Sequence, residues 1–262
     1  MSKQSNNSTI SADLKAQRHY AERTVQEGFD FGLTVADAFV RGIRDIGYIN
    51  TGRALDELID NSIQAEATKV MIAFGFEGKS DSKPTSLAVV DNGHGMDPLM
   101  IRLSAIWGGT HRENDRSGFG RYGYGLPSSS VSQGRRFTVY SLVEGGQLHA
   151  VTLDLDEVTD GAHTKDGKIV VPEAKPAQLP QWLTKQIRER FGSELEHGSV
   201  VLIEKLDRLT WKTSAALERH LLQGIGTTYR NFLRQLTVWV GEKQVAAVDP
   251  LFITPGFRFY DL

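Results

Sequence analysis

Two hydrophobic rhythms alternate along the chain, and the switches between them lay out its elements. In Asp56-Glu57-Leu58-Ile59-Asp60-Asn61-Ser62-Ile63-Gln64-Ala65 the helical period puts Glu57 and Asn61 on one face and Ile59 and Ile63 on another. Thr51 stands where an N-cap for that helix is expected. The period then drops to two: Val70, Ile72 and Phe74 alternate in a predicted strand over 69–76. A polar loop over 77–85 leads to a buried strand over 86–90 that delivers Asp91 at its end, and Asp97-Pro98 opens a helix running to Ile106. Residues 107–121 are glycine-rich and charged without periodicity, which predicts a mobile lid. Beyond them the pattern predicts a short helix over 126–131, paired strands over 136–143 and 147–155, and a polar connector over 158–178. A helix over 181–191, a strand over 199–204, a long helix over 213–233 and a strand over 236–240 turning at Gly241-Glu242 complete the order. Upstream, 13–26 and 34–46 have helical patterns, the second with Val35, Ala38, Phe39 and Ile43 on one stripe, while 1–11 is Ser/Asn-rich and expected to be disordered. The apolar tail from Pro250, ending on Phe257, Phe259 and Tyr260, predicts that the chain is cut inside a second domain.

Composition narrows the classes. With 262 residues, 40% of them hydrophobic, there is material for one large domain or one and a half. A net charge of −2 gives no global footprint for nucleic acid or an anionic membrane, although a local basic patch stays open. The sequence holds no cysteine, which excludes disulfides, thiolate metal sites and cysteine nucleophiles. Its polar start resembles neither a signal peptide nor an anchor, and no stretch approaches membrane-spanning length. The expectation is a soluble, cytoplasmic protein.

Three stretches carry chemistry. On the first helix, Glu57 can polarise a water and the Asn61 amide oxygen is a hard donor suited to Mg²⁺; an ordinary solvated helix face is the alternative. Asp91, held at a strand end before Gly93 and Gly95, can accept a hydrogen bond from an exocyclic amine such as adenine N6. The glycines let backbone approach a flat ring and Met96 offers a polarizable wall; a plain Asn92-Gly93 turn is the alternative. Gly118, Gly120, Gly123 and Gly125 satisfy G-x-G-x-x-G, but in mid-chain after a charged loop, which is the wrong context for a dinucleotide fingerprint. A lid whose N–H groups receive phosphates at a helix N-terminus fits better, with a flexible loop as the alternative.

Taken in this order, the three stretches resemble the GHKL ATPases with their Bergerat fold, a group spanning type II topoisomerases, MutL, heat-shock chaperones, histidine kinases and the MORC proteins. The resemblance covers about residues 50–206. It implies an α+β fold, a two-layer sandwich with helices on one face of a mixed sheet, followed by the start of a transducer-type domain. By the same resemblance Glu57 would be the general base, Asn61 would hold Mg²⁺, and Asp91 would bind adenine N6 with Gly93, Gly95 and Met96 around the ring. Gly120, Gly123 and Gly125 would wrap the phosphates of ATP, with Arg121, Tyr122, Tyr124 and Leu126 of the same run in the nucleotide site. Ser199, after Gly198, stands where the family has a threonine that assists the aspartate.

The presence of Glu57 disfavours the histidine kinases, which usually lack that base. The style of the first motif and the later run over 226–251 are most similar to MORC and MutL proteins. The implied organisation is a polar segment over 1–27 taking part in dimer exchange, an ATP-binding domain over 28–206 and the beginning of a transducer over 207–262. The implied partners are ATP, a second copy of the chain joined in an ATP-dependent homodimer, and DNA in the full-length context, with no membrane. The phosphate-contacting lysine of hydrolysing members is expected beyond residue 262, so turnover by this chain would be weak. The rival functions are an ATP sensor that does not hydrolyse and a chaperone-like ATPase acting on protein. The tryptophans 107, 182, 211 and 239 are expected in the core or an interface, and the type of His94 is expected to be incidental. His111, Arg112, Arg116 and Arg121 either offset phosphate charge or belong to a solvated loop.

Overall fold

A computed structural model describes residues 42, 44–45, 47–78, 81–107, 124–165, 168–255, 257 and 260. The helices expected over 13–26 and most of 34–46, the N-terminal segment 1–27, and the lid residues Gly118, Gly120, Arg121, Tyr122 and Gly123 lie outside the described residues, as do His19, His111, Arg112 and Arg116. The elements in chain order are α1 (Thr51–Gln64), β1 (Lys69–Gly75), β2 (Ser86–Asp91), α2 (Pro98–Ser104), α3 (Gly125–Gln133), β3 (Gly134–Leu142), β4 (His149–Asp154) and α4 (Leu155–Thr159). Then come the two-residue strands β5 (Thr164–Lys165), β6 (Lys168–Ile169) and β7 (Lys175–Pro176), followed by α5 (Gln181–Phe191), β8 (Gly198–Leu206), α6 (Ser214–Thr228), a 3₁₀ turn (Phe232–Arg234), β9 (Thr237–Val240) and β10 (Lys243–Gln244).

Eight strands form one mixed sheet in the order β10-β9-β1-β2-β8-β3-β4-β7. All described neighbours pair antiparallel except β1 and β9, which run parallel. The α+β, mixed-sheet expectation therefore holds. Register explains the core. Ile72 on β1, Val89 on β2, Val201 on β8 and Val139 on β3 lie in one transverse row, and Phe74, Leu87, Ile203 and Phe137 in the next. Both rows face α1, whose Leu55, Leu58 and Ile59 join them in a single apolar cluster. Leu217, Leu221, Ile225 and Tyr229, spaced four apart from α6, complete it.

The central strands are apolar on both faces because both are covered, which corrects the picture of helices on one side only. Met71, Ala73, Ala88, Val90, Val200 and Leu202 form the opposite face, and α5 lies over it through Leu183, Ile187 and Phe191. The continuous run Val70-Met71-Ile72-Ala73-Phe74 is what such a strand requires. Two boundaries also differ from expectation. Asn50, not Thr51, caps α1 by accepting from Arg53 N at 3.0 Å. Thr51 is instead fully buried, exchanging backbone-to-hydroxyl hydrogen bonds with Thr210 at 3.0 and 2.9 Å. The long helix expected to reach 233 stops at Thr228 and resumes as the 3₁₀ turn, so that Tyr229 is its C-cap.

The tryptophans are all half-buried: Trp182 and Trp239 pack on the α5 face, Trp211 stacks on His220, and Trp107 donates to Ser128 Oγ at 3.1 Å. Among the described residues no helix is long and apolar enough to cross a membrane. Ile187 is 1% exposed at the centre of the α5 contact. Ile187→Ala is expected to lower unfolding free energy by about 3 kcal/mol in urea titrations; a loss under about 1 kcal/mol would mean that α5 does not seal this face.

Candidate active site

At one end of the α1-facing side the apolar rows give way to a polar one. Val70, Asp91, Ser199 and Ser141 are successive cross-strand partners on β1, β2, β8 and β3. Asp91 is only 7% exposed. Its Oδ1 accepts from Gly93 N at 2.8 Å and Ser199 N at 3.3 Å, and Ser62 Oγ of α1 lies 3.3 Å from Oδ2. Ser199 Oγ is 2.8 Å from Ser141 Oγ, which also bonds Gly198 O and accepts from Met96 N, both at 2.9 Å. Burial nevertheless dominates, pushing the Asp91 carboxyl up to about 6 against the hydrogen bonds that hold it down.

The turn after β2 is fixed from below. Asn92 Oδ1 accepts from Thr68 N and Lys69 N at 2.9 and 2.7 Å, capping the start of β1. His94 N donates to Ala65 O at 2.9 Å, tying the turn to the end of α1. Gly93 is required by that contact, since a Cβ there would meet Ala65 O and Cβ at 2.6 Å. Gly95 has φ +72°, and its Cβ would stand 2.1 Å from Leu142 O, so no other residue fits without moving β3. The Met96 side chain packs against the core beside this turn, and the exposed His94 ring bonds the neighbouring Gly95 O.

Glu57 and Asn61 stand half-buried on the same helix, Asn61 next to Ser62 and Glu57 one turn before it. Gly125, the first residue of α3, abuts Glu57: a Cβ on it would come within 2.5 Å of Glu57 Oε2. The described end of the glycine run thus meets the carboxylate expected to be the base. Leu126 packs on the core and Tyr124 is exposed. The Glu57 carboxyl is raised, first by burial and then by Asp60 and Asp56. Asp60 and Asp56 are themselves raised by burial, opposed by hydrogen bonds from Tyr229 and Arg53 respectively. Three carboxylates fall within five residues, and Asp56 is paired with Arg53 at 2.9 Å; a divalent cation nearby would offset the charge that remains. The Asn61 amide oxygen is the hard, neutral donor such an ion takes without adding a fourth charge. Among the described residues no group of three or more His, Asp or Glu could hold a metal by itself. Asn61 is thus the residue here that could hold Mg²⁺, the other donors coming from outside the protein.

Ser62, Ser141, Asp60 and Tyr229 escaped the motif reading. A signal for the first two was present: Ser62 falls on the buried stripe of α1 and Ser141 in an apolar strand, each a polar residue at a core position. Tyr229 and Asp60 are 169 residues apart, and only the fold brings them within 2.8 Å.

Residues 49–190 match the Histidine kinase-, DNA gyrase B-, and HSP90-like ATPase family, more than half of the chain, and the chain belongs to that family as the bearer of its ATPase domain. Within it the chain is similar to MORC proteins. It is 32% identical to Protein MICRORCHIDIA 6 of Arabidopsis thaliana over 148 residues, which are 54% of this chain and 22% of that protein. It is 30% identical to ATPase MORC2B of Mus musculus over 150 residues, 56% of this chain and 13% of that one. The matches thus span less than a quarter of either relative.

Asp91 generates a pH signature of the ligand-free fold. The folded chain holds this proton more tightly than the unfolded chain, so its contribution to stability is complete below about pH 4 and is lost as pH rises through about 6. Asp91→Asn is expected to remove that share, about 2–3 kcal/mol between pH 4 and pH 7, in urea unfolding at the two pH values. An identical pH difference in both proteins would show that Asp91 is not held as described.

Proposed function

We propose that the chain binds ATP with its adenine N6 on Asp91 and hydrolyses it to ADP and phosphate, Glu57 taking the proton of the attacking water. The observation that carries this reading is the meeting of Asp91, Glu57 and the start of α3 along one helix, α1. A deeply buried carboxylate whose Oδ2 is bonded only weakly suits an exocyclic amine. Ser199 and Ser141 fix its neighbourhood, and Gly95 and Met96 flank the ring. The raised proton affinity of Glu57 suits a base that must accept a proton near neutral pH. Bound at Asn61, Mg²⁺ would supply charge neutralisation at the phosphates. Gly120, Arg121, Tyr122, Gly123, Tyr124, Gly125 and Leu126 then serve as the phosphate-facing run, ending where Gly125 meets Glu57.

The output we propose is conformational. ATP closes the glycine-rich run over the site and joins two copies of the chain through it and through residues 1–27. Residues 207–262 lead from the ATP-binding unit towards a transducer-type domain, and strand β9 from this stretch is bonded to β1. The likeness to MORC proteins supports a DNA-related or defence role for the full-length protein. Turnover by this chain is slow, and the compartment we propose for it is the cytoplasm.

Calorimetric titration with a non-hydrolysable ATP analogue, with and without Mg²⁺, tests the site. Binding is expected to require Asp91, to strengthen with Mg²⁺ in wild type but not in Asn61→Ala, and to weaken below about pH 6 as Asp91 protonates. Undiminished binding by Asp91→Asn would sink the adenine assignment. For turnover, Glu57→Ala is expected to lose hydrolysis by about 100-fold or more while keeping analogue affinity within about threefold. Equal, negligible hydrolysis in both proteins, with binding intact, would make the chain an ATP sensor.

A further inference from the structure

We infer that Tyr229 is a positioning residue for the catalytic helix, its hydroxyl bridging two successive turns of α1 and so setting where Glu57 and Asn61 stand. The hydroxyl shares its single proton between two acceptors, the Asp56 carbonyl at 3.0 Å and Asp60 Oδ1 at 2.8 Å. Those two acceptors precede Glu57 and Asn61 directly in sequence, so one anchoring atom addresses both members of the pair. Glu57 itself is not among the bonded partners of Tyr229, which makes the role one of placement rather than chemistry.

The anchor is held from behind. Tyr229 is 4% exposed and follows Leu217, Leu221 and Ile225 along the buried stripe of α6. The end of α6 is in turn pinned to the chain beyond the β9–β10 hairpin. Val248 N donates to Gly226 O at 2.9 Å, and a Cβ on Gly226 would meet Ala246 O at 2.5 Å, so only glycine lets the two segments lie this close. A continuous set of contacts therefore runs from Ala246–Val248 through Gly226 and Tyr229 to α1. Displacement of that outgoing segment reaches the catalytic pair without touching nucleotide. The ring alone would fill the space as phenylalanine; the hydroxyl is what grips the helix. Burial first, and then Asp56 and Asp60, hold its proton in place far above neutral pH, so it stays a donor throughout the working range.

This inference rests on the ATPase reading above, and the test separates the two. Tyr229→Phe keeps the packing and removes the grip. Ile225→Val, one turn earlier on the same stripe, trims the packing and leaves the hydroxyl. In the whole chain, Tyr229→Phe is expected to lower kcat for ATP about tenfold with KM within about twofold, and to cut the Mg²⁺-dependent gain in analogue affinity. Ile225→Val is expected to change kcat and that gain by less than about twofold while also lowering the unfolding midpoint. Equal kcat losses in both variants, or a Tyr229→Phe protein that loses stability alone, would overturn the positioning role and leave the ATPase reading standing. If wild type binds analogue without turning ATP over, the Mg²⁺-dependent gain alone decides: its retention in Tyr229→Phe overturns the role. Failure of wild type to bind any nucleotide would overturn both.

Discussion

A carboxylate buried at the edge of an apolar sheet is costly to keep, and the site is arranged around satisfying Asp91. Left alone in that position it would neutralise or unfold its surroundings. Three elements instead converge on it: the turn after β2 donates through Gly93 N, β8 through Ser199 N, and α1 approaches through Ser62 Oγ. Each bond also fixes an element relative to the others, so satisfying one group sets the geometry of this whole polar edge. The remaining imbalance is visible in a proton affinity raised to about 6, and the amine proposed to bind there would relieve it.

A similar constraint governs the glycines. Gly93, Gly95 and Gly125 all belong to runs that suggest bare backbone open to a ligand. Gly93 and Gly95 are demanded by protein neighbours, Ala65 and Leu142 respectively, while Gly125 lies against the Glu57 carboxylate. A glycine in such a motif thus makes room first for the fold and, through the position the fold then takes, for the ligand. Gly226 acts in the same way outside the site, where it lets the chain beyond β10 touch α6 and links that segment mechanically to α1.

Function and stability meet on α1. Its apolar stripe seals the larger core, its C-terminus is bonded to the turn after β2 through His94 N and Ala65 O, and its polar edge carries Glu57 and Asn61. Asp56 and Asp60, which raise the proton affinity of Glu57, are also the residues by which Tyr229 grips the helix. Any force that shifts α1 therefore alters the position and the proton affinity of Glu57, the proposed base, together.

By itself the sequence determined most of the strand and helix order and marked three stretches as candidates for chemistry, because those signals are local. Period two and period 3.6 follow from backbone geometry, a carboxylate after an apolar strand can be read in order, and glycine spacing needs no partner. It mistook the cap at Thr51, since a hydroxyl that serves Thr210 looks the same in sequence as one that serves the next turn. It also expected helices on one face of the sheet only: a strand covered twice shows only as a longer apolar run, and nothing in that run says what covers it. Tertiary structure alone decided that β9 closes onto β1, that Ser141 sits beside Ser199, and that Tyr229 reaches Asp60. Those pairings depend on register and packing between segments far apart in the chain, where a single residue type gives no sign of its partner.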